Sequence, residues 1–221
     1  MSTFTSGQQW RNAFVEGQRI NGAYQGGVNF YERVATHVSL KNIVPNGSFE
    51  TNTTGWTGSG TLSRIALPVS HGESGSWCGQ NSHRVNGAHS ILLSPGLSVV
   101  SGNQYYIRAR TRFTSNGYGN IVQFQNNATN IGAAVTMTVN QWSLLDCIWQ
   151  ANSSTFPLRL NFTNGNGNTD RTAQCDNIMV INLTAAFGAG NEPDALSMRS
   201  FIASKGGYWD GDVVTVWDAF D

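Results

Sequence analysis

The chain has 221 residues with 13 basic and 13 acidic side chains, so its formal net charge is zero. A neutral chain lacks the basic footprint that displaces counterions from nucleic acids, so we expect no nucleic-acid partner. No run approaches the roughly 20 apolar residues of a membrane-spanning helix, and residues 1–10 lack the apolar core of a signal peptide. We therefore expect neither membrane insertion nor an export signal.

The charges are unevenly distributed along the chain. Between residues 51 and 145 the arginines are accompanied by a single carboxylate, Glu73, whereas the acidic residues concentrate from residue 176 onward. Glycoside hydrolysis requires two carboxylates that flank one bond, and the sequence has neither a nucleophile elbow nor a phosphate-binding loop. The prediction is that the protein is not an enzyme.

Residues 1–38 are predicted to form an N-terminal attachment module. Within them, residues 15–31 alternate short apolar groups with glycine-rich turns, a pattern typical of a small β-hairpin. A hairpin alone is marginally stable in water, so it needs a sandwich, a second copy of itself or a larger assembly to pack against. The stretch resembles short modules that recur in bacteriophage structural proteins.

Residues 39–183 read as one β-sandwich, which makes the predicted fold class all-β. Turn signals such as Ser94-Pro95-Gly96 separate the candidate strands at the spacing of a sandwich. Phe49 and Trp56 are large apolar groups that its core can bury. The candidate strands are residues 61–68, 89–93, 104–113, 120–125, 133–139, 142–150, 157–163 and 176–183.

Two motifs in this region carry a family resemblance. The run NIVPNGSFE followed by TGW, and the later run DNIMV, resemble the opening and closing strands of carbohydrate-binding modules of families 4, 9 and 22. The resemblance implies a jelly-roll β-sandwich that binds glycans. It also implies a structural calcium ion held by Glu50 and Asp176 on adjacent strands, because hard oxygen ligands suit that ion. The alternative is an ordinary capping or hairpin hydrogen bond for each carboxylate.

Residues 184–221 are predicted to form a C-terminal extension. Asn191 precedes three residues favoured at a helix start, and residues 205–207 would end that helix. The string LTAAFGAGNEP, with GGYWDG after it, resembles a module found repeatedly at the ends of phage tail and virion proteins. The resemblance implies a virion location with assembly in the host cytoplasm, and partners that are other virion proteins and copies of this chain.

Period-2 alternation gives the strand at residues 104–113 a core face and a polar face. If that strand neighbours those at residues 120–125 and 157–163, the outward groups form one surface with donors for hydroxyls or anionic groups, and its charge suits anionic cell-wall sugars. An ordinary solvated sheet face is the alternative. The predicted polar contacts of a glycan are Arg108, Arg110, Gln123, Gln125 and Arg159, with Trp77, Tyr106 and Tyr118 as candidates for stacking on a sugar ring.

The other reactive side chains indicate no further site. His71, Cys78, His83 and His89 match no usual zinc ligand spacing. Three cysteines form no disulfide framework, so free buried thiols are expected.

The sequence therefore predicts a non-catalytic bacteriophage virion protein, a decoration, fibre or tail component, whose jelly roll adheres to host-surface glycans. Many copies on one particle would multiply weak sites into useful avidity. One alternative is a purely structural decoration or cement protein of the capsid or tail. Another is an accessory carbohydrate-binding module of a polysaccharide-degrading system.

Overall fold

The computed structural model describes residues 13–15, 18–25, 28–32, 36–83, 89–114, 118–165 and 171–217. It divides into two compact units, residues 1–38 with 215–221, and residues 39–214. The first unit contains an antiparallel sheet in the order β1-β2-β3, made of β1 (Ala13–Val15), β2 (Gln18–Gln25) and β3 (Val28–Glu32). The pairing of β2 with β3 confirms the predicted hairpin.

The remaining strands, in chain order, are β4 (Thr36–Asn42), β5 (Trp56–Gly58), β6 (Thr61–Ala66), β7 (Trp77–His83), β8 (His89–Leu93), β9 (Leu97–Ser98), β10 (Gln104–Phe113), β11 (Tyr118–Asn126), β12 (Thr129–Thr136), β13 (Ser143–Gln150), β14 (Thr155–Phe156), β15 (Leu158–Gly165), β16 (Arg171–Asn182) and β17 (Gly211–Trp217). The helices are α1 (Leu183–Phe187) and α2 (Ala195–Ser204).

Most of these strands belong to two antiparallel sheets. In the described part of the chain, the large sheet has the order β13-β10-β16-β4-β17, and β7 joins it by pairing with β16 and β6. The small sheet has the order β12-β11-β15-β8-β5. β9 and β14 form a separate short ribbon.

One hydrophobic core lies between the two sheets, because both send their apolar alternate residues into it. Phe49 and Trp56 are buried in this core with ring centroids 5.4 Å apart, as the sequence predicted. The predicted sandwich and its inward-facing residues are thereby confirmed. The central strands contribute Tyr105, Ile107, Ala109 and Phe113 from the large sheet, and Val122, Phe124, Leu158, Leu160 and Phe162 from the small sheet.

The list of candidate strands lacked β7, so the prediction missed this strand. Its residues Gly79, Gln80 and Asn81 show no apolar alternation, yet β7 lies between β6 and β16. Gln174 Nε2 donates to Gln80 Oε1 (2.8 Å), so a polar pair links two neighbouring strands. A Cβ at Gly79 would lie 2.8 Å from the Phe49 ring, so glycine makes room for that core residue.

Helix α2 begins later than the sequence predicted. Its N-cap is Asp194, whose side chain accepts a hydrogen bond from the Ser197 backbone N–H (2.7 Å), rather than Asn191. An extended Asp194 that captures this donor fixes the start of the helix at Ala195. Its end at Ser204, followed by Lys205, agrees with the prediction.

Residues 183–210, called the C-terminal segment below, pack on the outer face of the large sheet. Arg199 of α2 binds Asp146 of β13 through two hydrogen bonds (2.8 and 2.6 Å). Asn42 Nδ2 of β4 donates to the backbone oxygen of Trp209 (3.1 Å). The three-part domain division stays a prediction. Among the described residues no helix is both long and apolar enough to cross a membrane.

Candidate functional site

The predicted single surface of arginines and glutamines does not exist, because its members belong to two sheets. Arg108 and Arg110 lie on β10 of the large sheet, whereas Gln123 and Gln125 lie on β11 and Arg159 lies on β15 of the small sheet. The sheets pack together through their inner faces, so their outer faces point in opposite directions. The five side chains therefore cannot contact one ligand together.

Arg108 and Arg110 are both bound by a carboxylate of the protein, with side chains that are 2% and 22% exposed. Arg108 Nη2 donates to Glu73 Oε1 at 2.5 Å. Arg110 Nε donates to the same carboxylate oxygen at 2.7 Å. Glu73 belongs to residues 67–76, called the covering loop, which connect β6 to β7 and lie over the outer face of the large sheet. In place of the expected exposed basic face, these side chains form a largely covered ion cluster of Arg108, Arg110 and Glu73.

A β-bulge in β16 aims two further side chains at this cluster. The register between β10 and β16 shifts between Arg108 and Arg110, and Asn177 adopts a positive φ of 49°. As a result Cys175 and Ile178 face the core, while Asp176 and Asn177 both face outward. Asn177 Nδ2 donates to Glu73 Oε2 (3.1 Å), which satisfies the second carboxylate oxygen.

The C-terminal segment covers the ion cluster on its solvent side. Arg108 Nη1 donates to the backbone oxygen of Gly207 at 2.7 Å. A Cβ at Gly207 would lie 2.5 Å from Glu73 Cγ, and the residue has a φ of +96°, so this position requires glycine. The GGYWDG string, distinctive in the sequence, thus supplies a structural closure on the sandwich.

The candidates for sugar stacking are placed differently from one another. Tyr106 is 0% exposed and its hydroxyl donates to Asp146 Oδ2 (2.8 Å), so it cannot stack on a sugar. Trp77 is half-buried, and the Arg64 guanidinium carbon lies 3.6 Å from its ring centroid, so one ring face is covered. The side chain of Tyr118 lies outside the described residues.

Glu50 and Asp176 come together, but with their oxygens engaged. Glu50 lies in the loop after β4 rather than on a strand, and its Oε1 accepts from the backbone N–H groups of Ser76 (2.7 Å) and Trp77 (3.1 Å). Asp176 Oδ1 accepts from the Asn177 backbone N–H (2.8 Å). Both carboxylates lie beside Gly75, where a Cβ would be 3.0 Å from Glu50 Oε1 and 3.5 Å from Asp176 Oδ2.

The remaining Asp176 oxygen is bound by His71. Since His71 Nδ1 accepts from the Glu73 backbone N–H (3.3 Å), the proton is on Nε2, which donates to Asp176 Oδ2 at 2.8 Å. Burial raises the pKa of Asp176 to about 6, against the lowering effect of this hydrogen bond. Calcium requires six to eight oxygen ligands, and the described residues contain no group of three metal-binding side chains. These residues do not fit the implied ion.

The three cysteines are free and buried. Burial raises the pKa of Cys78 and of Cys147 to about 12, and raises that of Cys175 well above its usual value. A thiol must ionise to act as a nucleophile or metal ligand, so these cysteines serve packing.

The outer face of the small sheet carries the other half of the predicted set. Gln123 lies opposite Asn161, and Gln125 lies opposite Arg159, on the adjacent strands β11 and β15. All four side chains are half-buried rather than enclosed. Gln123 Nε2 donates to the Gly132 backbone oxygen (2.9 Å), so its amide is oriented along the sheet surface. This row, Gln123, Gln125, Arg159 and Asn161, is called the polar row below.

No protein-family model matches the sequence, and no curated protein matches it. Among solved structures, an arabinose-bound MgGH51 α-L-arabinofuranosidase is similar with a TM-score of 0.52 and 16% identity, over 72% of this chain and 29% of that one. The fold is a jelly-roll β-sandwich. A family 16 carbohydrate-binding module is similar with a TM-score of 0.45 and 16% identity, over 63% of this chain and 99% of that one. Tailspike protein 4 of bacteriophage CBA120 is similar with a TM-score of 0.43 and 14% identity, over 63% of this chain and 21% of that one. Identities this low establish the fold alone.

The two outer faces of the jelly roll therefore differ. On the large sheet, the covering loop and the C-terminal segment bury Arg108 and Glu73 and partly cover Arg110. On the small sheet, the polar row is bordered by Ile121 and Leu92 and contains no aromatic side chain among the described residues of the face. Sequence reasoning missed the pairing of Glu73 with the arginines, because that contact joins a loop to a strand 35 residues away.

Proposed function

We propose that this jelly roll is a non-catalytic glycan-binding module, and that the polar row is the surface that contacts the glycan. The observation that carries the proposal is the placement of three amides and one guanidinium side by side on two adjacent strands, half-exposed to solvent. Such groups donate to and accept from sugar hydroxyls in fixed directions. They are held by a sheet, so binding would require little reordering of the protein.

The setting that we propose is a bacteriophage virion, with the module on a decoration, fibre or tail component. The proposal rests on the resemblance of residues 15–31 and of the LTAAFGAGNEP and GGYWDG strings to phage modules. In that setting the partners are other virion proteins, copies of this chain and host-surface polysaccharide. A weak single site suffices there, because repeated copies on one particle raise the effective concentration of binding sites.

A purely structural decoration role is the second candidate. The described part of the small-sheet face offers no aromatic ring, although stacking on aromatic rings is a common means of holding a pyranose. A face without such a ring can also serve as a solvated surface or as a contact with a neighbouring protein.

An immobilised panel of neutral and acidic bacterial surface polysaccharides separates the two candidates. The full chain should be retained by a subset of the panel and eluted by the matching soluble polysaccharide. Retention by no member of the panel and by no preparation of bacterial cell wall would favour the structural role. Release of reducing sugars or shortened polymer during incubation would contradict the non-catalytic assignment.

A further inference from the structure

Arg159 differs from the other arginines whose side chains the structure describes. Arg64, Arg108, Arg110, Arg112 and Arg199 each donate hydrogen bonds to backbone oxygens, amide oxygens or carboxylates. Within the described residues, no nitrogen of the Arg159 side chain has such an acceptor. Its Nε is buried without a hydrogen-bond partner, a feature that it shares with Arg108 and Arg112. The side chain as a whole is only half-buried, and its terminal nitrogens, which are not among the buried atoms, also have no acceptor among the described residues, so they can donate to a ligand from outside the chain.

The position of Arg159 is central on its sheet. β15 is the middle strand in the order β12-β11-β15-β8-β5, and Arg159 lies between Gln125 on β11 and Leu92 on β8. The described outward residues of this face include no carboxylate, so the guanidinium charge is not neutralised within the face. A positive charge without a carboxylate beside it and guanidinium donors without acceptors thus lie together at the centre of the small-sheet face.

We infer that Arg159 selects glycans that carry an anionic group, a carboxylate or a phosphate, over neutral ones; this inference rests on the proposed function. A guanidinium presents parallel N–H donors that match two oxygens of one anionic group, and such charge-assisted pairs are stronger than neutral hydrogen bonds. Gln125 and Asn161 then bind hydroxyls of the flanking sugar, while Arg159 contacts the anion.

Arg108 and Arg110 of the large sheet, unlike Arg159, are bound by a carboxylate, and this difference supports the assignment. The sequence places several arginines between residues 51 and 145, and a general basic face would attract anions without any selection among them. Glu73 binds both Arg108 and Arg110, whose side chains are 2% and 22% exposed, so their donors are engaged within the protein even though one carboxylate balances only one of the two charges. Arg159 lies on the opposite outer face, so a glycan bound at the polar row would meet its charge alone, and one substitution should remove the selectivity.

The experiment measures binding of the full chain to three immobilised polymers. They are a uronic-acid polysaccharide, the same polysaccharide after reduction of its carboxyl groups to alcohols, and a glycerol-phosphate polymer. The first variant, Arg159→Gln, removes both the positive charge and the parallel N–H donors of the guanidinium. The second, Arg159→Lys, keeps the charge but not the parallel donors. Lys205→Gln, an exposed cation in the C-terminal segment, is the control for loss of one positive charge. A thermal unfolding curve of each variant shows whether it is folded.

The parent and Lys205→Gln should bind at least one anionic polymer about tenfold more tightly than the reduced polymer, in a salt-sensitive manner. Arg159→Gln should lose this preference, and Arg159→Lys should keep part of it. The uronate and phosphate arms identify which anion is recognised. Equal binding of the charged and reduced polymers by the parent would overturn the inference but leave the proposed function standing. Binding of none of the three polymers, nor of any polysaccharide panel, would overturn both.

Discussion

Arg108 and Glu73 form a buried ion pair, with 2.5 Å between Nη2 and Oε1 and side chains that are 2% and 7% exposed. The pair joins the covering loop to the central region of the large sheet. Removing one partner of a buried pair leaves an uncompensated charge, which costs far more than loss of an exposed pair. The pair therefore fixes the covering loop, and it explains why the arginine-rich strand is unavailable to a ligand.

We expect Glu73→Gln to destabilise the protein by about 3 kcal/mol, because Arg108 and Arg110 would then share no carboxylate. Urea unfolding followed by tryptophan fluorescence measures the change. Glu192→Gln is the matched control, since Glu192 accepts hydrogen bonds near the surface and pairs with no cation in the described residues. Equal midpoints for the two variants would contradict a buried ion cluster.

Gly207 and Gly206 provide a test of the contact between the C-terminal segment and the cluster. Both have a positive φ, +96° and +90°, so alanine strains the backbone at either position. Only at Gly207 would the new Cβ meet Glu73, whereas the Cβ at Gly206 would meet nothing within 4 Å. Gly207→Ala should therefore cost about 1–3 kcal/mol more than Gly206→Ala in the same unfolding assay. No difference between them would mean that the segment does not lie on Glu73.

The stability of the protein should depend on pH through Asp176. Burial, opposed by His71 and reinforced by Glu50, raises the pKa of Asp176 to about 6 from an ordinary value of 3.8. Between these values the folded state binds a proton that the unfolded state does not, so this contribution is largest below about pH 4 and is lost as the pH rises through 6. The loss is on the order of 3 kcal/mol.

Asp176→Asn removes this titration. Between pH 4 and pH 7 the unfolding free energy of the parent should fall relative to that of the variant. The variant should therefore be relatively more stable at pH 7 than at pH 4. A difference that stays constant over this range would show that Asp176 does not carry the dependence.

Calcium should not change the melting temperature. Glu50 Oε1 and both Asp176 oxygens already accept hydrogen bonds from the protein, so an ion would have to displace them. Thermal unfolding in EDTA and in millimolar calcium measures this directly. A rise in the melting temperature with calcium, abolished in Glu50→Gln, would contradict this prediction and support the calcium site that the family resemblance implies. A ligand that binds the folded state stabilises it by mass action.

The alternation of apolar and polar residues was sufficient to predict most strands of the sandwich. Alternation around Ile107 and Leu160 predicted both the strands and the inward faces, because one apolar face per strand is enough to define them. Strand β7 could not be found this way, since Gln80 and Asn81 are polar and form hydrogen bonds with Gln174, Gly60 and Ser90. Without an apolar alternation, no local pattern marks this strand, although β6 precedes it directly in the chain.

The candidate site was predictable only in part. Alternation correctly assigned Gln123, Gln125 and Arg159 to outward positions, but it contains no information on which strands are neighbours. The sheet order separated Arg108 from Arg159, and a loop contact buried Arg108 under Glu73. A β-bulge at Asn177, which changes the alternation of β16, also has no local signal strong enough to predict.

The central claim is that the outer face of the small sheet binds glycan. The most direct measurement compares retention on bacterial cell-wall polysaccharide of the parent, the triple variant Gln123→Ala, Gln125→Ala, Asn161→Ala, and a control triple variant. The control removes the same residue types from exposed positions outside the polar row, by Gln141→Ala, Gln150→Ala and Asn191→Ala. The claim predicts that the polar-row variant, although folded, loses retention while the control binds as the parent does. Retention of the polar-row variant at the parent level would contradict it.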